Sequence, residues 1–99
     1  MVSTSSATAD QLSAGSLPPG VLDDVHKRLA RIEGQIRGVR RLLDEGAGCK
    51  DVLHQVAAVN AAFDRVGYKL VAAAMEHCVA NPDSPMTTEE LEGLFLKLS

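Results

Sequence analysis

The sequence predicts an all-α protein whose subunit contains three helices, two long and one short. Apolar residues recur at alternating spacings of three and four residues over two long stretches, which is the period of a helix face. No stretch shows the apolar and polar alternation of a strand, and Gly- or Pro-containing segments at residues 46–48 and 81–85 separate the periodic stretches. With 99 residues, such helices enclose little core on their own, so we expect the chain to oligomerise.

The N-terminal segment differs from the rest in composition. Residues 1–20 are rich in Ser, Thr, Ala and Gly and carry no apolar period, so we predict a disordered arm here and a helical domain over residues 21–99. The arm contains no Lys or Arg and no continuous apolar segment, which argues against a secretory signal or a membrane anchor. We expect a cytoplasmic protein that makes no membrane contact and whose thiols stay reduced.

An apolar seam predicts the first long helix. Its members are Leu22, Val25, Leu29, Ile32, Ile36, Val39 and Leu43. Gly34 and Gly38 lie off this seam, and each lowers helix propensity by about 1 kcal/mol relative to Ala, so tertiary packing has to hold the helix. Gly46-Ala47-Gly48 supplies the residues that end a helix and turn the chain.

The second helix is predicted from about Cys49 to Ala80, because no proline occurs before Pro82. Its apolar seam consists of Val52, Val56, Val59, Phe63, Val66, Leu70 and Ala73. Further apolar residues widen this stripe, namely Leu53, Ala57, Ala61, Ala62, Val71 and Ala74. We therefore expect one side of the helix to pack on the first helix and another side on a partner subunit.

A short amphipathic third helix is expected after the Pro-rich turn. Thr87 and Glu90 have the spacing of a capping box. Apolar residues then follow at helical spacing, namely Leu91, Leu94, Phe95 and Leu98.

Two cysteines lie at opposite ends of the predicted second helix. Cys78 follows Cys49 by 29 positions, so a rise of ~1.5 Å per residue separates the sulfurs of one chain by about 43 Å. An antiparallel partner helix would bring Cys49 of one subunit to Cys78 of the other. In a reducing compartment such a pair indicates metal binding or thiol redox chemistry, and burial as small apolar residues is the alternative. Cys49 is the better nucleophile, because the start of a helix stabilises a thiolate.

Basic residues concentrate in the first helix, although the whole chain carries a formal charge of −3. Between Lys27 and Arg41 six basic residues stand against one acid, Glu33. An extended arginine surface that faces solvent on a helical oligomer suits the phosphate backbone of duplex DNA. The candidate DNA-contact residues are Arg28, Arg31, Arg37, Arg40, Arg41, Arg65 and Lys69. The alternative is a helical interaction module that binds an acidic protein and no DNA.

No catalytic site is predicted. The chain contains no Gly-rich phosphate loop, nucleophile elbow or His-Glu metalloprotease motif, and its three histidines are scattered. His26 and His54 are interpreted as surface or supporting residues rather than ligands. His77 is adjacent to Cys78, but successive helical residues project about 100° apart, so it does not share the face of Cys78.

Three segments of the chain resemble the CsoR family of bacterial transcriptional repressors. They are Arg28–Gly38 (RLARIEGQIRG), Cys49–Val59 (CKDVLHQVAAV) and His77–Val79 (HCV). The resemblance implies an all-helical subunit with long antiparallel helices that assembles as a dimer of dimers, a homotetramer. It also implies binding to operator DNA, which is released when an intersubunit thiol site is occupied. Arg28 and Arg65 match positions implicated in DNA contact in the family.

The resemblance also bears on the effector. In the copper sensors of the family, cysteines that match Cys49 and Cys78 hold Cu(I) with a His four residues before the second Cys, where this chain has Ala74. His77 would complete such a site only by turning toward Cys78. Two cysteines without that His resemble the persulfide-sensing, CstR-like branch, in which the first Cys attacks sulfane sulfur and the second resolves it. We therefore expect a sensor of reactive sulfur species, with Cu(I) as the alternative effector and no obligatory cofactor.

Overall fold

The computed structural model describes residues 13–98. Within this part of the chain, a short 3-10 helix (Ala14–Ser16) precedes three α-helices: α1 (Pro19–Asp44), α2 (Cys49–Ala80) and α3 (Thr88–Leu98). None of the described residues forms a strand. The predicted all-α class and the three-helix subunit are confirmed.

The structure corrects the predicted end of the N-terminal arm. Ser13 caps the 3-10 helix, since its Oγ accepts a hydrogen bond from the amide of Gly15 at 3.1 Å, and Leu17 is only 6% exposed. α1 begins at Pro19, because the fixed φ and missing amide hydrogen of proline suit the first helical position. Residues 13–20 therefore belong to the folded unit. The rest of the predicted arm, residues 1–12, lies outside the described residues.

α1 and α2 form an antiparallel hairpin joined by a turn at residues 45–48. The two helices pack over a core of Val25 and Ile32 from α1 and Val66 from α2. Partly buried apolar side chains surround this core, namely Val21, Leu29, Val59, Ala62 and Leu70. The three core residues all belong to the predicted seams, so the helical period identifies the faces that pack.

The backbone stabilises the turn after α1. Gly46 has a φ of 70°, a left-handed conformation that residues with a Cβ avoid. Its amide binds the carbonyl of Leu43 at 3.2 Å, and the amide of Ala47 binds the carbonyl of Leu42 at 2.9 Å. These two bonds form a Schellman motif, which satisfies carbonyl groups at the end of α1. The predicted helix stop at this Gly-rich turn is confirmed.

α3 packs against the C-terminal part of α2. The predicted capping box is present: the amide of Glu90 donates to Thr87 Oγ1 at 3.1 Å, and the amide of Thr87 donates to Glu90 Oε1 at 3.0 Å. Leu91 of α3 forms a second core with Ala74 and Cys78 of α2. The third helix therefore packs on the C-terminal end of α2, which carries Cys78.

Much of the apolar surface of the hairpin is uncovered within one chain. The described residues span 53 × 30 × 23 Å, and Leu53 and Phe63 of α2 are 64% and 59% exposed. Ile36 and Leu43 of α1 are exposed as well. One side of α2 packs on α1, as predicted, and the other presents an apolar surface. No helix between residues 13 and 98 has the length and apolar character needed to cross a membrane.

Replacing Gly46 by Ala should lower the free energy of unfolding by about 1 kcal/mol, because Ala avoids the left-handed φ of this turn. A Cβ at Gly46 would meet no atom within 4 Å, so the effect is conformational and not steric. Gly38→Ala is the matched control, since its new Cβ also meets nothing but lies in α1, where Ala should add up to ~1 kcal/mol. Urea unfolding followed by circular dichroism measures both, and effects of the same sign would contradict the assigned turn.

Candidate functional site

The two thiols lie at opposite ends of α2. Cys49 is its first residue, and Cys78 lies two residues before its end. α2 is a continuous α-helix of 32 residues, so its geometry keeps the sulfurs about 43 Å apart. A bond between them within one chain is therefore excluded. Their pairing across subunits stays a prediction.

Cys49 lies exposed beside the turn between α1 and α2. It lines an apolar hollow of about 210 Å³ together with Leu43, Ala47, Val52 and Leu53. The N-cap of α2, Gly48, has no side chain to bind the first amides of the helix. Those amides and the helix dipole can therefore stabilise negative charge on the Cys49 sulfur.

Cys78 is held by the segment that connects α2 to α3. Its thiol donates a hydrogen bond to the carbonyl oxygen of Met86 at 3.0 Å, and its sulfur lies 3.7 Å from Ser84 Oγ. The side chain is 8% exposed and packs against Ala74 and Leu91. Cys78 is therefore a covered thiol, whereas Cys49 is the accessible one.

The residues that the structure describes form no complete metal site around either thiol within one chain. Ala74, one turn before Cys78, is buried at 9% exposure. His77 is half-buried, and its Nδ1 is enclosed without a hydrogen-bond partner. Across residues 13–98, no three His, Cys, Asp or Glu side chains converge as a metal site. A metal site that uses both cysteines would therefore have to combine donors from two subunits.

Three of the predicted DNA-contact residues converge between α1 and α2. They line a groove of about 170 Å³, the arginine groove, which consists of Arg28, Arg31, Ile32, Gln35, Ala62 and Arg65. The Oε1 atom of Gln35 is buried here without a hydrogen-bond partner. Three guanidinium groups from two helices give the groove a positive charge that suits the phosphates of nucleic acid.

A second group of arginines lies nearer the C-terminal end of α1. Arg37, Arg40 and Arg41 are exposed, and they border an open hollow together with Asp44. They face solvent, as predicted, but they do not line the arginine groove. The predicted basic surface is therefore divided into two parts.

Asp24 pairs with two of the predicted DNA-contact residues, Arg28 and Lys69. Its Oδ2 accepts a hydrogen bond from Arg28 Nε at 2.8 Å and lies 3.0 Å from Lys69 Nζ on α2. Arg28 and Lys69 are accordingly half-buried rather than fully solvated. The hydrogen bond from Arg28, followed by that from Lys69, holds the pKa of the Asp24 carboxyl below its usual value.

The sequence pattern gives only part of this arrangement. Asp24 precedes Arg28 by four residues, the spacing of an ion pair on one helix face, so this ion pair could be predicted from the sequence. The ion pair between Asp24 and Lys69 connects two helices, and no sequence spacing predicts it. The orphaned oxygen of Gln35 in the arginine groove likewise has no signal in the sequence.

Comparison with known proteins identifies the family. The family described as "Metal-sensitive transcriptional repressor" matches residues 22–97, a range that contains both thiols and the arginine groove. The chain belongs to this family of transcriptional repressors. The resemblance to CsoR proteins is thereby confirmed, and the relatives found are repressors rather than enzymes.

Individual relatives agree with this assignment. The chain is 36% identical over 81 residues to the copper-sensing transcriptional repressor CsoR of Bacillus subtilis. This alignment covers 78% of this chain and 80% of that protein. The chain is 44% identical over 57 residues to the copper-sensing transcriptional repressor RicR of Mycobacterium tuberculosis, which covers 58% of this chain and 59% of RicR. The match therefore spans less than two thirds of the length of RicR.

A solved structure supports the fold of this family member. The nickel-responsive transcriptional regulator InrS superposes with a TM-score of 0.67 at 35% identity, covering 79% of this chain and 92% of that chain. Membership of the persulfide-sensing branch stays a prediction.

Cys49 should react faster than Cys78 with a thiol reagent in the native protein, because Cys49 is exposed and Cys78 is covered by the segment that contains Met86. The variants Cys78→Ser and Cys49→Ser isolate the two thiols. Stopped-flow reaction with Ellman's reagent should give rates that differ by about tenfold or more, since Cys78 requires local opening. The difference should vanish in guanidinium chloride. Equal rates in native buffer would contradict the burial of Cys78.

Proposed function

We propose that this chain is a cytoplasmic repressor that binds operator DNA as an oligomer and releases it when sulfane sulfur reacts with an intersubunit thiol pair. The observation that carries the proposal is the location of Cys49 and Cys78 at the two ends of one continuous helix, in a member of a repressor family. Antiparallel association of two α2 helices brings unlike ends together, so each dimer holds two such pairs. Two dimers form the homotetramer.

The uncovered side of α2 supports this association. Leu53, Val56 and Phe63 are exposed along the half of the helix that begins at Cys49. A contiguous apolar surface of this kind marks an interaction site. Its occupant is a second copy of the chain, because only a second α2 also supplies the partner thiol.

The proposed chemistry uses the two thiols in sequence. The Cys49 thiolate attacks the outer sulfur of a persulfide RS–SH, which forms Cys49–S–SH and releases RSH. The Cys78 thiol of the partner subunit then attacks the inner, Cys49-bound sulfur, which forms a Cys49–Cys78 disulfide and releases H₂S. The two thiols lose two electrons and the sulfane sulfur gains them. A second equivalent of sulfane sulfur would extend the bridge to a trisulfide.

DNA binding is assigned to the basic surface. The arginine groove presents Arg28, Arg31 and Arg65 from two helices, and an oligomer repeats this groove on each subunit. Local charge of this kind supports binding of phosphates despite the acidic total of the chain. We assign phosphate binding along α1 to three further residues, Arg37, Arg40 and Arg41. Family membership favours this assignment over an interaction module without DNA.

A reaction at Cys78 can alter the DNA-binding surface by changing how α3 packs on α2. A bridged Cys78 has no thiol proton, so it can no longer donate its hydrogen bond to the Met86 carbonyl. The packing of Cys78 against Leu91 also has to change to admit the thiol of another subunit. The bridge therefore favours a different arrangement of α2 and α3, and this difference couples the thiol site to the DNA-binding surface.

Brief treatment of the reduced protein with inorganic polysulfide should give a species of twice the chain mass in non-reducing intact mass spectrometry. Affinity for a duplex enriched from a random pool by the reduced protein should fall by about 10- to 100-fold, which is the range of allosteric coupling. Cys49→Ser and Cys78→Ser should each retain DNA binding and lose both responses. An unlinked monomer that still releases DNA would contradict the proposed pair.

Cu(I) on the same two thiolates is the second candidate effector. It is favoured by similarity to CsoR of Bacillus subtilis and RicR of Mycobacterium tuberculosis, both of which are copper-sensing repressors. Soft thiolates suit Cu(I). The buried Ala74 provides no third donor where the copper sensors have a His, so Cys49 and Cys78 would hold the ion alone.

Replacing Ala74 by His should raise the Cu(I) affinity about tenfold or more, equivalent to ~1.4 kcal/mol, because the imidazole adds a third ligand. Ala73→His is the matched control, since Ala73 is as buried as Ala74 but projects from another face of α2. Competition with a Cu(I) chelator measures the affinities, and circular dichroism checks that both variants fold. An equal gain in both variants, or in neither, would contradict the helix register assumed for the site.

A further inference from the structure

We infer that Asp24 is a positioning residue for DNA binding: its carboxylate holds Arg28 so that the ends of the guanidinium remain free for a DNA phosphate in the arginine groove. This inference rests on the proposed function, because it assumes that the groove binds DNA. The negative charge of Asp24 alone predicts that this residue weakens DNA binding. The inference assigns it the opposite role, in which it strengthens DNA binding.

The contact geometry carries the inference. Asp24 Oδ2 accepts its hydrogen bond from Nε of Arg28 at 2.8 Å, and not from the terminal nitrogens of the guanidinium. The two terminal NH₂ groups, with four N–H donors, therefore stay available. Arg28 lines the arginine groove with Arg31 and Arg65, and a planar guanidinium held at Nε can present its terminal groups to a phosphate.

Lys69 gives Asp24 a second anchor. The same Oδ2 lies 3.0 Å from Lys69 Nζ, so the carboxylate connects α1 to α2 as well as to Arg28 one turn away. An anchor on two helices limits the positions that the carboxylate can take, and hence those of the Arg28 side chain. Because both cations lower the pKa of the Asp24 carboxyl, the group is charged under ordinary DNA-binding conditions.

The neighbouring Asp23 provides a matched control. It forms an ion pair with Lys27 at 3.1 Å, four residues along the same helix, and both side chains are well exposed. Neither residue lines the arginine groove. Asp23→Asn and Asp24→Asn remove the same charge from adjacent positions, but only Asp24→Asn removes the charged partner that holds Arg28.

The experiment measures affinity and its salt dependence by fluorescence anisotropy, using a duplex enriched from a random pool by the wild-type protein. Asp24→Asn should weaken binding about tenfold, and the slope of log affinity against log salt should become shallower by about 1 for each phosphate that Arg28 no longer binds. Asp23→Asn should bind as the wild type does or more tightly. In an Arg28→Ala background, Asp24→Asn should have no more effect than Asp23→Asn, because its action runs through Arg28.

Two results would overturn the inference while leaving the proposed function intact. Equal tightening by Asp24→Asn and Asp23→Asn would mean that Asp24 acts only through its charge. Equal weakening by Asp24→Asn in the wild-type and Arg28→Ala backgrounds would mean that it acts through the packing of α1 on α2. If the wild-type protein enriches no duplex and binds none, the proposed function fails and the inference fails with it.

Discussion

The continuity of α2 determines where the two thiols lie and which helices pack around them. A helix of 32 residues without a break keeps Cys49 and Cys78 about 43 Å apart, and no motion of the turns can bring them together in one chain. α1 and α3 cover only part of the surface of α2, and Leu53 and Phe63 remain exposed. The proposed pairing of the two thiols therefore needs a second copy of the chain, and the uncovered apolar surface is where we propose that this copy binds.

The positive surface depends on how α1 crosses α2. The core of Val25, Ile32 and Val66 fixes the hairpin, and this packing places Arg65 of α2 beside the arginines of α1. The arginine groove thus lies along the middle of the hairpin, whereas the thiols lie at the two ends of α2. The proposed coupling between the thiols and the groove would have to pass through helix packing, and the contact of Cys78 with the α2–α3 segment is where it would begin.

Local signals in the sequence predicted most of the fold. The Gly46 turn, the end of α2 before Pro82 and the capping box at Thr87 were predictable, because each depends on residues close together in the chain. The burial of Leu17 and the cover over Cys78 were not, because no sequence motif marks either one. The cover over Cys78 depends on how the segment after α2 folds back, which brings the carbonyl of Met86 to the thiol. The candidate site shows the same division: the arginines and cysteines are evident from their positions, but the interhelical link from Asp24 to Lys69 needs the packed hairpin.

Mixing two variants tests whether each thiol pair is shared between subunits. Cys49→Ser protein retains only Cys78, and Cys78→Ser protein retains only Cys49, so neither chain alone holds a complete pair. After the two are denatured, combined, refolded and treated with polysulfide, we expect a covalent heterodimer that contains one chain of each variant, seen by non-reducing mass spectrometry. Absence of this species, while wild-type protein cross-links under the same conditions, would rule out a thiol pair shared between subunits.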